Sequence, residues 1–233
     1  AARRDIDVWP VDMEAELLAA FDLSASQAYG SAARTIAPLA RLEIGILPLA
    51  TSPLRTLPLA ATRALAAALG EWGNVSLCLN KTQQQGRLYA REMAVQLPDD
   101  IQVIDGFAAI GDLMAAIRGF DYAVFADSGP AHIAKLFRTP GTAVYSSAPG
   151  DVLQGRFTNL ARWTVPYAGP HCAAPCGLAK LRQTAAGRIG CMGSLGVDLA
   201  KLPMTARLAN PAVVERLLLH APVPCIAELR DDP

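Results

Sequence analysis

The sequence predicts an α/β protein: a Rossmann-like, doubly wound parallel sheet with helices on both faces. Three observations carry this. Strand-like and helix-like apolar patterns alternate regularly from residue 41 onward. Tyr122 to Ala126 is apolar without alternation, as a strand buried on both faces must be. With 52% hydrophobic but only 6% aromatic residues, and much Ala and Leu, the composition favours helices on a sheet over a β-sandwich.

Each element has its own local reason. Leu42–Leu47 reads as the first strand. Pro58 at the first turn and Gly70 as a stop bracket a helix over 58–69. Val75–Leu79 is the second strand, and Gly86–Gln96, closed by Pro98, the second helix. Ile101–Ile104 is a short strand. Phe107, Ile110, Leu113, Met114 and Ile117 fall on one helical face. The buried strand 122–126 leads into a helix over 130–137, and Thr142–Tyr145 is a fifth strand. These elements define a doubly wound domain over about 41–170. Beyond it lie a stretch rich in Cys and Gly, at about 171–195, and a last helix over 211–220. We take 41–233 as one domain.

Residues 1–40 are different. Met13, Leu17, Leu18 and Phe21 sit at helical spacing, and 24–38 is small and polar. This reads as a helical arm or linker from a preceding region. The start, Ala-Ala-Arg-Arg-Asp, lacks Met and an apolar signal region, and reads as a cut inside a longer protein.

Bulk properties exclude several classes. The 21 basic and 21 acidic side chains cancel, so net charge gives no drive toward nucleic acid or a membrane surface. No apolar run reaches the ~18 residues a spanning helix needs. Five cysteines in 233 residues do not resemble a secreted disulfide scaffold, so a cytoplasmic location is expected. Walker loops, nucleophile elbows and Gly-x-Gly turns are missing from strand-to-helix positions, which argues against a nicotinamide dehydrogenase.

In open α/β sheets, ligands bind outside the carboxyl ends of the strands. Asp127-Ser128-Gly129-Pro130 lies there, between a buried strand and a helix. Gly129 permits close backbone approach, and first-turn amides with the helix dipole form an anion site. Asp127 or Ser128 as a simple helix cap is the competing reading, and both can hold together. His132 falls in the same turn, either as a packing residue or as a phosphate donor. The dipole disfavours its protonation in the empty protein, and a bound diphosphate would reverse that. Thr51, Ser52 and Arg55 follow the first strand at the equivalent end of the sheet. A guanidinium there suits phosphate, and a solvated loop arginine is the alternative. The run Asn80–Gly86 follows the second strand, where ribose is often held, and Gln84 and Gln85 could contact hydroxyls. Cys172, Cys176 and Cys191, beside His171, could offer zinc ligands. Free thiols or a pair that pins the loop fit better, and no metal is assigned.

At this point the residues resemble a family. Asp127, Ser128, Gly129, Pro130, His132, Ile133, Ala134 and Pro140 follow the Asp-(Ser/Thr)-Gly-Pro-x-His-(Leu/Ile)-Ala…Pro pattern of glycosyltransferase family 9, the lipopolysaccharide heptosyltransferases and their relatives. Pro48, Ala50, Ser52, Arg55 and Pro58 resemble its first loop, and Cys172…Cys176…Cys191 its cysteine segment. The resemblance spans roughly 41–220. It departs at Leu49 and Ser146, where the family has glycines, at Leu57 for Trp, and in lacking a ribose-gripping Glu near Gln83–Gly86.

The resemblance implies the C-terminal, donor-binding half of a GT-B transferase. That half would hold a nucleotide-diphosphate sugar, usually ADP-heptose, for transfer to a lipopolysaccharide or other glycan acceptor. Asp127, Ser128, Gly129 and His132 would line the diphosphate, and Arg55 would replace a phosphate-facing Lys. No cofactor or metal is implied. The acceptor site and general base would lie in an N-terminal domain outside this chain, so this chain alone would bind donor without turning it over. The enzyme would be cytoplasmic or peripheral at the inner membrane face. The alternative is a non-catalytic relative, kept as an interaction module in a larger protein.

Overall fold

The computed structural model describes residues 41–51, 55–81, 84–93, 97, 101–155, 157–164, 166–168, 173–175 and 224–227. The arm over 1–40, the helix over 211–220, Ser52, His171, Cys172, Cys176 and Cys191 lie outside them.

Six parallel strands form the main sheet: β1 (Leu42–Leu47), β2 (Gly73–Cys78), β3 (Gln102–Ile104), β4 (Tyr122–Ala126), β5 (Gly141–Tyr145) and β6 (Leu160–Thr164). Their spatial order is β3-β2-β1-β4-β5-β6. This is the doubly wound order, with the chain reversing its direction of travel between β1 and β4. The crossovers carry α1 (Leu59–Gly70), α2 (Gln84–Met93), α3 (Ile110–Gly119), α4 (Gly129–Phe137) and α5 (Gly150–Gln154). A two-stranded antiparallel ribbon, β7 (Tyr167–Ala168) with β8 (Ala173–Ala174), and a short helix α6 (Pro224–Ala227) complete the described elements.

The fold class expected from the sequence is the one observed. The difference lies at the carboxyl side, where β6 adds a sixth parallel strand beside β5. Its sequence, Leu-Ala-Arg-Trp-Thr, has one buried residue and two exposed ones, so it lacks the apolar run that marked the central strands. It is an edge strand, defined by pairing more than by pattern.

Side-chain alternation through β1 and β4 divides the core. Leu47, Ala123 and Phe125 face α3 and α4, where Ile117, Phe120, Ile133 and Ala134 meet them. On the opposite face Ile44, Ile46, Val75 and Leu77 pack against Leu59, Ala66, Tyr89 and Met93 of α1 and α2. Val124, Ala126 and Val144 continue that face toward Leu57, Ala61 and Ile226. Close approach dictates glycine at several positions, two of them in the sheet core. A Cβ at Gly45 would sit 2.5 Å from the Phe120 ring, and one at Gly141 would sit 2.0 Å from the Ala123 carbonyl oxygen. Phe120 therefore crosses β1 where no side chain stands.

Candidate active site at the switch point

The turn from β4 into α4 stands at the carboxyl edge of the sheet, next to the end of β1. Ala126 is fully buried, and Asp127 directly after it is only 3% exposed. Ser128 is the extended residue preceding α4, and no side chain caps the helix. The Ser128 hydroxyl instead donates to the Ala126 carbonyl at 3.2 Å. The capping reading is therefore not met, and the first turn presents its dipole without a side-chain acceptor. Gly129 is exposed, and a Cβ built on it would meet nothing within 4 Å beyond its chain neighbours and its own helix backbone. Packing does not demand a glycine here. Space over the backbone is open, which suits close approach by a ligand.

Arg55 comes to this turn from the loop after β1. Its Nη1 lies 3.5 Å from Asp127 Oδ2, and its Nη2 donates to Thr51 Oγ1 at 3.0 Å. The guanidinium is mostly sheltered, so it is not the solvated loop arginine weighed from the sequence. Its Nε is buried without a hydrogen-bond partner among the described residues. The loop itself is pinned: the Ala50 amide donates to Thr56 Oγ1, and the Leu57 amide to the Pro48 carbonyl. Thr56, buried, is the residue that holds this turn.

Burial pushes the Asp127 carboxyl up, against the opposing pull of the Arg55 guanidinium and, more weakly, of Lys135. A carboxylate paired this way serves as the counter-ion of Arg55, and its own negative charge is unsuited to touching an anion. The sequence did not single out Lys135. It is 3% exposed, one turn after His132 on the same helix face. Its Nζ lies 3.0 Å from His132 Nδ1, 2.5 Å from the Leu153 carbonyl oxygen, and 5.7 Å from the centre of the Phe157 ring. The available signal was a lysine inside the apolar run Ile133-Ala134-Lys135-Leu136. Burial lowers its pKa to about 8, while Asp127 opposes the fall. His132 is pushed down to about 4, by burial first and then by the Lys135 and Arg55 charges. The imidazole is therefore neutral around pH 7, as the helix-start argument requires. The turn holds two cations, Arg55 and Lys135, against one carboxylate, Asp127.

Beside this turn opens a cleft of about 280 Å³. Ser128, Gly129 and Thr51 line its polar side, and Leu49, Leu79 and Phe107 its apolar side. Cys78 lies on its wall, and burial raises that thiol to about 12, leaving it unreactive at neutral pH. Gly86 of α2 also borders the cleft. A Cβ there would sit 1.8 Å from the Asn80 carbonyl, so the glycine lets α2 close against the β2 loop. Gln84 and Gln85 open α2, which places their backbone at this edge. Their side chains and Ser52 are outside the described residues. Leu49, where the family pattern has glycine, is part of the apolar wall.

A strand-to-helix turn with an open glycine, at the reversal point of the sheet, is the setting in which the family comparison is decisive. Residues 11–156 match the family model described as glycosyltransferase family 9 (heptosyltransferase). The chain belongs to this family. The match covers more than half the chain and includes Arg55, Asp127, Ser128, Gly129, His132 and Lys135 together with the residues of the cleft. Among solved structures, the chain resembles the ADP-heptose lipopolysaccharide heptosyltransferase II of Escherichia coli, with 19% identity, TM-score 0.47, and coverage of 66% of this chain and 43% of that one. It also resembles E. coli heptosyltransferase WaaC with ADP-2-deoxy-2-fluoro heptose, with 15% identity, TM-score 0.46, and coverage of 61% and 41%. A family 9 glycosyltransferase from Veillonella parvula gives 15% identity, TM-score 0.49, and coverage of 69% and 42%. The chain thus spans less than half the length of each of these structures. No curated protein matches it.

Among the described residues, no group of three or more His, Cys, Asp or Glu is placed to hold a metal ion. No described helix is long and apolar enough to cross a membrane.

Proposed function

We propose that this family 9 chain is the donor-binding half of a glycosyltransferase, and that the β4–α4 turn holds the diphosphate of a nucleotide sugar. One observation carries the reading. The start of α4 has no side-chain cap and is open over Gly129, with Arg55 and Lys135 supplying positive charge beside it. Backbone amides of Ser128 and Gly129 and the His132 imidazole are the donors to phosphate oxygens, and the Ser128 hydroxyl joins them by turning away from the Ala126 carbonyl. Thr51, Ser52 and Arg55 contact the same diphosphate from the β1 loop, with Arg55 presenting the partly exposed edge of its guanidinium. Asp127 acts at one remove, by holding Arg55. The adjoining cleft receives the nucleoside, its apolar wall facing the base and Gln84 and Gln85 near the ribose.

The chemistry follows from the family. A developing negative charge on the leaving diphosphate is stabilised by oriented amides and cations, with no cofactor and no metal required. The sugar is an ADP-heptose-like donor, and the acceptor a lipopolysaccharide or other glycan. Acceptor binding and the general base belong to a domain preceding this one, with 1–40 as an arm between them. The reaction takes place in the cytoplasm or at the inner membrane face.

A thermal-shift screen of nucleotides and nucleotide sugars tests this directly, since a ligand that prefers the folded state raises the melting temperature. ADP and ADP-sugars should raise it. If no nucleoside diphosphate does, the donor reading fails, and a non-catalytic interaction module is what remains.

A further inference from the structure

We propose that Lys135 is a positioning residue that fixes His132 as a neutral imidazole with its proton on Nε2. This deepens the reading of the turn as a diphosphate site, because it assigns which ring nitrogen is the donor. The geometry is specific. Lys135 Nζ lies 3.0 Å from His132 Nδ1. The same Nζ donates to the Leu153 carbonyl and sits over the Phe157 ring. An amine that contacts a carbonyl oxygen and a ring face is served best as an ammonium. An ammonium has three donors and no acceptor, so Nδ1 must receive its proton with a lone pair. The ring hydrogen is then left on Nε2. The opposite tautomer would set two N–H donors against each other across 3.0 Å.

The surroundings agree. The charged groups about the pair are Asp127 and Arg55, and burial with the Lys135 and Arg55 charges keeps the imidazole from taking a second proton near neutrality. Lys135 also ties α4 to the end of α5, since Leu153 lies there and Asn159 donates to the Ala134 carbonyl nearby. The i to i+3 spacing of His132 and Lys135 delivers both from one helix face.

The test is long-range proton–nitrogen NMR on the 233-residue chain with labelled histidine, without nucleotide. There are three histidines, so loss of one signal in His132→Gln assigns it. At pH 7 the wild type should show an unprotonated Nδ1 and a protonated Nε2. In Lys135→Met the ring should average between tautomers, and its titration should move up by about one pH unit or more. Lys135→Arg, which keeps a charged donor, should retain the wild-type pattern. A protonated Nδ1 or an imidazolium in the wild type at pH 7 overturns the proposal, whether or not Lys135→Met folds. So does an unchanged ring in folded Lys135→Met. A separate titration with ADP should show about tenfold weaker binding for Lys135→Met, equivalent to one lost hydrogen bond to a charged group. Absence of ADP binding in the wild type would count against the donor reading alone, leaving the tautomer result intact.

Discussion

At Asp127, burial and charge pull in opposite directions, and the balance explains why Arg55 is where it is. The carboxyl is almost wholly enclosed at the end of a core strand, where an unpaired negative charge is costly. Arg55 supplies the opposing charge and, being partly exposed, keeps one edge toward solvent. Arg55→Met should therefore destabilise the fold by ~1–3 kcal/mol, less than a fully buried pair because the guanidinium is partly hydrated. The Asp127 titration, followed by NMR, should move higher still in that variant. His132 makes a second prediction, in which the sign matters. Its folded pKa, about 4, lies below the ordinary 6.5. Between those values the unfolded chain binds a proton that the folded one refuses. Its contribution to stability is thus complete above pH 6.5 and is lost as pH falls toward 4, with a ceiling of about 3 kcal/mol. Urea denaturation at a series of pH values should show a flatter profile for His132→Gln over that window.

Elements in this protein were legible from sequence where a pattern served both local structure and burial. β1 and β4 were marked by apolar runs, and α1 by Pro58 and Gly70. The Asp127–His132 turn was legible because its residue types are those a helix start needs near an anion. β6 was not, because an edge strand with Arg162 and Trp163 carries little apolar signal. Nor were the polar pins that tie α5 to β5 and to the start of β6. Gln154 is fully buried, accepting from Tyr145 and donating to the Phe157 and Leu160 carbonyls, and these partners meet only through tertiary folding. Lys135 went unnoticed for the same reason: its three partners come from α4, α5 and the loop beyond. The glycines make the element-scale prediction. Gly141→Ala places a Cβ against the Ala123 backbone, which the β4–β5 pairing holds in place. It should cost about 1–3 kcal/mol or more in chemical denaturation.

For the molecule as a whole, the sheet order brings together residues far apart in the chain. Thr51 and Arg55 follow β1, Leu79 follows β2, and Ser128 and Gly129 follow β4. They converge because β1 and β4 are neighbours at the reversal of the sheet. Family membership agrees with that placement. Gly129 allows the function of the site to be separated from its stability. Its side is open in the structure, so Gly129→Ala should change unfolding free energy by less than about 1 kcal/mol, with crowding by the Pro130 ring offsetting the gain in helix propensity.

Calorimetric titration of ADP into wild type and Gly129→Ala is the measurement that bears most directly on the diphosphate site. One ADP should bind per wild-type chain, and binding should weaken about tenfold or more in a Gly129→Ala protein of unchanged melting temperature. Equal affinity for ADP in the two proteins, or heat of binding from neither, would contradict this expectation.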